Sequence, residues 1–142
     1  MALVETNQLT KRFGERTVVD GVTLSVNAGE IFGFLGKNGA GKSTFINMLT
    51  GIIRPTSGTI RMFDGVGQPD DWKRRIGVLP DYSTFYDSLT ALDHLRYLAR
   101  VKGIRLSKKE CERILEDVGL AEHAGRKAKT FSFGMKKKLG IA

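Results

Sequence analysis

Residues 36–44 read GKNGAGKST, the pattern G-x-x-x-x-G-K-[ST] with Gly36, Gly41, Lys42 and Ser43 at its fixed positions. A polyphosphate needs many hydrogen-bond donors in little space. Glycines let the backbone curl so that successive N–H groups point inward, and a helix beginning at Ser43 aims its positive end at the same point. This constrains the fold to a strand, the loop and a helix in that order. The flanks comply: the apolar run 30–35 has the length of a buried parallel strand, and STFINMLTG reads as a short helix stopped by Gly51. Phosphate contacts are expected from Gly36, Asn38, Gly39, Ala40, Gly41, Lys42, Ser43 and Thr44. In this reading Lys42 reaches the β- and γ-phosphates and the Ser43 hydroxyl holds Mg²⁺. The plainer alternative is a Gly-rich turn between strand and helix.

The rest of the first third also reads as β structure. Val22, Leu24 and Val26 alternate with Thr23 and Ser25, a half-buried strand. PTSGTIRMF reads as a turn leading into a strand, and IGVLP as a further buried strand ended by Pro80. The character then changes to helix. TALDHLRYLARVKG opens with a capping box, Thr90 and Asp93, and closes on Gly103; SKKECERILEDVG repeats the design with Ser107, Glu110 and Gly119. The last stretch, TFSFGMKKKLGIA, reads as a turn, a serine at a helix start and a basic helix whose Met135, Leu139 and Ala142 share one face. The chain is therefore expected to divide near residues 81–89 into a nucleotide-type part, 1–85, and a helical part, 86–142.

Bulk properties narrow the function classes. The 142 residues, 41% hydrophobic and 27% charged, suit one soluble domain rather than a disordered chain. A single cysteine, Cys111, excludes an internal disulfide and fits a reducing compartment. MALVETN is no secretory signal, and apolar runs such as IFGFLG are too short to span a bilayer. The net charge of +8 could suit nucleic acid, an acidic lipid surface or a polyanionic ligand. Its cations fall in small groups (Lys11-Arg12, Lys73-Arg74-Arg75, Arg126-Lys127-Lys129, Lys136-Lys137-Lys138) with no interleaved aromatics, so no specific nucleic acid is expected. His94 and His123 have no second ligand at metal spacing and read as surface or half-buried, and Cys111 as a core residue.

The phosphate loop does not stand alone. FSFGM, residues 131–135, resembles the LSGGQ signature of ATP-binding cassette (ABC) ATPases in the LSxGM form of their drug and antibiotic exporter branch. LTKRFG places Phe13 where that family has the aromatic that stacks on adenine, with Val18 as its apolar neighbour. IGVLPD is similar to the segment ending in the Q-loop, and LTALDHLRYLARVKGI to the start of the helical subdomain. The resemblance covers the whole chain. It implies an α/β P-loop NTPase (RecA-like) core with an antiparallel β part and a helical subdomain, ending here within the signature helix. It also implies ATP and Mg²⁺ as ligands, a second ABC ATPase subunit, the same or different, and an integral-membrane permease. Ser132, Gly134 and Met135 would then meet the γ-phosphate held by the other subunit. The place implied is cytoplasmic, at the inner face of the cell membrane.

Departures from that pattern bear on the chemistry. Phe131, Phe133 and Met135 stand where the family has Leu, Gly and Gln, and Asp81 stands where the Q-loop has Gln. A carboxylate can ligate Mg²⁺, so Asp81 joins Ser43 as an expected metal contact, but it cannot donate an N–H to water. No apolar strand ending in Asp-Glu, the family's Walker B, follows the signature. ATP binding is therefore expected, and hydrolysis is expected to need that further region. Two alternatives stay open. One is a soluble ABC-type ATPase acting on ribosomes or nucleic acid. The other is a different P-loop NTPase in which Asp81 is itself the acidic residue of a Walker B strand.

Overall fold

The structure is a computed structural model that describes residues 2–65, 72–80 and 85–142. They divide into two compact units, Met1–Val78 and Leu79–Ala142.

The first unit is built on a three-stranded antiparallel sheet. Strand β1 (Ala2–Phe13) and strand β2 (Arg16–Asn27) form a hairpin that sets Phe13 opposite Arg16 and Ala2 opposite Asn27. Strand β3 (Ser57–Met62) pairs along the other edge of β1, with Val4 opposite Met62, giving the order β2-β1-β3. Helix α1 (Lys42–Leu49) packs on this sheet through Phe45 and Met48, which are buried with Leu9 and Val19. Thr6 is buried beside them without an unmet polar group: its hydroxyl donates to the Val22 carbonyl and accepts from the Leu24 N–H, both at 3.1 Å.

The sequence pattern did not mark β1, because its alternation is interrupted. Gln8 adopts φ 48°, the pairing shifts register on both sides of it, and the buried positions Thr6 and Leu9 end up three residues apart. Gly58 of β3 lies against this kink; a Cβ there would stand 2.3 Å from the Gln8 carbonyl oxygen.

Two expected strands do not form. Residues 30–35 follow the Asn27 turn without joining a ladder, with Ile31 100% and Leu35 93% exposed. Residues 76–80 are likewise unpaired. A parallel strand exists only against a neighbour that accepts and donates along its edge, and among the described residues no strand takes that position. Only Phe34 of the first run finds packing, stacked on Phe45 with centroids 4.8 Å apart.

The second unit is helical. Helices α2 (Ala91–Val101) and α3 (Lys108–Asp117) start with the two expected capping boxes: the Thr90 hydroxyl accepts from the Asp93 N–H at 3.1 Å, and the Ser107 hydroxyl from Glu110 at 3.2 Å. Residues 121–130 run through two short 3₁₀ turns into helix α4 (Phe133–Ile141). Ala91, Leu95, Cys111, Leu115, Leu120, Phe131 and Leu139 form the core, and Met135 and Ala142 pack against it, so the apolar face expected of α4 is the buried one. Cys111 is fully buried, and burial pushes its thiol up from the ordinary range. His94 corrects the expectation of a surface or half-buried ring. It is 2% exposed, because α2 turns it inward against Phe85.

Candidate functional site: a phosphate loop and a capped helix

The chain reaches the loop after Phe34 and closes it in one tight turn, the Ala40 N–H donating to the Lys37 carbonyl at 3.1 Å. Gly41 then caps α1 at φ 86° and ψ 6°, a left-handed conformation. Two constraints converge on this residue. Its φ favours glycine, and a Cβ would lie 2.3 Å from the carbonyl oxygen of Val18 on β2. Val18 thus reaches the loop through its backbone, a contact that sequence spacing alone did not disclose.

The first helical hydrogen bond runs from the Phe45 N–H to the Gly41 carbonyl at 2.8 Å. Helix geometry leaves the amides of Lys42, Ser43 and Thr44 without an intrahelical acceptor. No side chain caps this end, and no acidic residue lies in the first turn. The positive pole of α1 therefore has no counter-charge in its own first turn, with Phe45 and Met48 anchoring the helix behind it.

Lys42 fills part of the space the loop encloses. Its ammonium donates to the carbonyls of Gly36 at 2.6 Å and Lys37 at 2.7 Å. These carbonyls hold a cation over the mouth of the loop, where it can turn to an incoming anion. Gly36, Lys37, Asn38, Gly39, Ala40 and Ser43 are exposed, and Lys42 and Thr44 are half-buried. The donor set fits a nucleoside polyphosphate with its Mg²⁺: backbone amides and an ammonium for phosphate, and the Ser43 hydroxyl for the metal. Phe13 ends β1 with its ring 50% exposed and the Lys11 ammonium 4.9 Å from its centroid, leaving a free aromatic face. Asp81 lies outside the described residues. Among those described, no cluster of three His, Cys, Asp or Glu could hold a metal ion.

In the second unit, Ser132 caps α4, its hydroxyl accepting from the Met135 N–H at 3.2 Å. The next bond runs from Lys136 to the Ser132 carbonyl, so the amides of Phe133 and Gly134 have no helical partner. Ser132, Phe133 and Gly134 are all exposed, while Phe131 is buried and Met135 turns its side chain into the core. Nothing nearer than the Ser132 hydroxyl, at 4.0 Å, would meet a Cβ on Gly134. The bare backbone there has no internal cause and leaves the surface open to close approach. The Phe133 ring is 69% exposed with the Lys137 ammonium 5.4 Å away. No helix among the described residues is long and apolar enough to cross a membrane.

Comparison with known proteins points one way. The profile of the family described as ABC transporter matches residues 19–142. The chain is 42% identical over 142 residues to the bacitracin transport ATP-binding protein BcrA of Bacillus licheniformis, covering 99% of this chain and 46% of that protein. It is 38% identical over 143 residues to the daunorubicin/doxorubicin resistance ATP-binding protein DrrA of Streptomyces peucetius, covering 98% and 43%. The chain thus spans about half the length of the curated relatives it matches. Among solved structures, the ATP binding subunit of an ABC transporter superposes with TM-score 0.81 at 33% identity, covering 98% of this chain and 60% of that one. The ADP conformation of an ATP-binding cassette of an ABC transporter superposes with TM-score 0.82 at 27% identity, covering 99% and 63%.

Proposed function

Because the chain belongs to the ABC transporter family, we propose that it is the nucleotide-recognising part of an ATP-binding subunit that powers export of a drug or antibiotic through a membrane permease. ATP-binding subunits of this family bind ATP with Mg²⁺, dimerise and work with membrane permeases. The observation that carries the reading is the loop at residues 36–44, with Lys42 held on the Gly36 and Lys37 carbonyls beside the open N-terminus of α1. The roles follow from the donors. The loop amides and Lys42 take the phosphates, Ser43 takes Mg²⁺ with Asp81 as its proposed companion, and Phe13 with Val18 takes adenine. Ser132 and Gly134 offer a hydroxyl and a bare backbone amide to the γ-phosphate bound by a second subunit, the same or different, with Met135 positioning that end of α4.

The similarity to bacitracin and daunorubicin resistance proteins supports export as the task. An exposed apolar strip on the helical unit, Tyr86, Tyr97, Leu98 and Val101, supports a protein partner on that side, and we assign it to the permease. With a permease as its partner, we assign the subunit to the cytoplasmic face of the membrane. Hydrolysis needs a carboxylate beside the attacking water, and no apolar strand ending in Asp-Glu occurs in these 142 residues. Recognition of MgATP is therefore assigned to this chain, and turnover to the longer subunit.

Lys42→Ala tests the phosphate assignment. Titrated with labelled ATP, the variant is expected to show no saturable binding while its circular dichroism stays that of the parent. Undiminished binding would refute the assignment.

A further inference from the structure

His94 is the most deeply buried ionisable side chain outside the phosphate loop among the described residues, apart from Cys111. Both of its ring nitrogens are engaged. Nδ1 lies 2.9 Å from the Thr90 carbonyl oxygen, which can only accept, so Nδ1 carries the hydrogen. Nε2 lies 2.9 Å from the Tyr86 backbone N–H, which can only donate, so Nε2 must be the bare acceptor. The two contacts together select one neutral tautomer. The ring is also gripped from the sides, edge-on to Phe85 at 5.3 Å and stacked with Tyr86 at 6.1 Å.

What the ring ties together gives the contact its reach. Tyr86 belongs to the segment entering α2, which returns its carbonyl to the Leu89 N–H. The Leu89 carbonyl accepts from Ala128, and the amides of Ala91 and Leu92 donate to the Arg126 and Ala124 carbonyls. The chain from 124 to 130 leads directly to buried Phe131 and the Ser132 cap of α4. His94 thus pins residues 85–86 to a hydrogen-bonded frame that ends at the serine cap.

We propose that His94 is a proton-sensitive latch: neutral, it holds residues 85–86 on the start of α2, and when it gains a proton at Nε2 it releases them. The chemistry is local. Protonation converts Nε2 from acceptor to donor and sets two N–H groups against each other in a buried site, where an unmet polar group is costly. A histidine ring is the side chain whose charge changes between about pH 5 and 8. On α2 itself, Asp93 and Arg96 are the charged neighbours. The Thr90 hydroxyl holds the Asp93 carboxyl below its ordinary range, so it stays ionised in mild acid as a counter-charge for an imidazolium. The incoming segment brings Tyr86, with Tyr97 behind it, and α3 brings the Cys111 thiol. The 124–130 segment brings Arg126, whose guanidinium is turned to His123 and Thr130, and Lys127. Tyr86 and Tyr97 belong to the strip assigned above to a partner, but the latch rests on the His94 contacts and not on that assignment.

The test is the hydrogen-exchange protection of the Tyr86 amide, corrected for intrinsic exchange, in ¹⁵N-labelled protein at about pH 7.5 and 5.5. Protection is expected to fall by about tenfold or more at the lower pH, while amides inside α3 keep theirs. His94→Gln places a non-titrating acceptor near the Nε2 position and should make Tyr86 protection independent of pH. Equal protection at both values in the parent, or the same loss in His94→Gln, would overturn the latch. If the variant does not fold, ring ¹⁵N shifts of the parent decide. The Nδ1–H tautomer at pH 7.5, with protonation accompanying the loss of Tyr86 protection, supports it, and an Nε2–H tautomer refutes it.

Discussion

Gly41 and Gly134 both lie at helix starts, yet the structure needs a glycine at only one of them. At Gly41, φ 86° and the Val18 carbonyl 2.3 Å from a Cβ position leave no room, so Gly41→Ala must push the loop off β2. Overpacking of this kind costs about 1–3 kcal/mol; thermal unfolding should show the loss, and ATP titration should show binding abolished with it. At Gly134 the space is open. Alanine is the better helix residue by about 1 kcal/mol, so Gly134→Ala should leave the melting temperature unchanged or raised. The same change should impair ATP-driven dimerisation of the longer subunit, measured by light scattering; full dimerisation would mean that no phosphate approaches there. Phe13 makes a third case. Half exposed at the end of β1, it contributes little to the core, whereas stacking on a base is worth about 1–3 kcal/mol. Phe13→Ala should therefore weaken ATP by about tenfold or more and inorganic triphosphate hardly at all. Equal losses for both ligands would make Phe13 a packing residue.

Among elements, the helices of the second unit were legible because their signals are local. Thr90 with Asp93 and Ser107 with Glu110 each satisfy amides within one turn, whatever the rest of the chain does. The same reciprocity makes these caps pH-dependent. The Thr90 and Ser107 hydroxyls hold the Asp93 and Glu110 carboxyls below their ordinary range. A depressed carboxyl contributes stability above its unfolded pKa, which is lost as pH falls through the folded value. Helicity should thus hold down to about pH 4 and decline below it. Asp93→Asn combined with Glu110→Gln should flatten that acid limb in circular dichroism; an unaltered limb would mean that other carboxyls govern it. Strands were less legible because a strand is defined by its neighbours. The run 30–35 has the right composition and, among the described residues, no edge to pair with, while β1 pairs along both edges although the kink at Gln8 breaks its alternation. The turn within residues 36–44 and the helix that follows it could be read because spacing and residue type dictate them. The loop's contact with the Val18 carbonyl and the burial of His94 depend on packing between elements, which periodicity does not encode.

For the whole molecule, the exposed run at 30–35 and the missing acidic strand point to the same remedy. Ile31 and Leu35 are almost wholly exposed immediately before the phosphate loop, and Phe32 is 46% exposed. An apolar segment with free backbone edges is a template for pairing with another chain. Its composition suits burial between parallel strands, and a strand of the Walker B type would supply both a neighbouring edge and the carboxylate that hydrolysis requires. The 142 residues alone should therefore bind MgATP, fail to turn it over, and self-associate more readily than a longer version. A longer version continuing through an apolar strand ending in Asp-Glu should gain turnover and solubility together. Phosphate release and light scattering, measured on both side by side, check this. Glu30 starts its segment at the end away from the loop and Asp81 precedes the helical part, so neither is expected to stand in for that base. Steady turnover by the shorter chain, lost on Asp81→Asn, would make Asp81 the catalytic carboxylate and require a different assignment of the 76–81 segment.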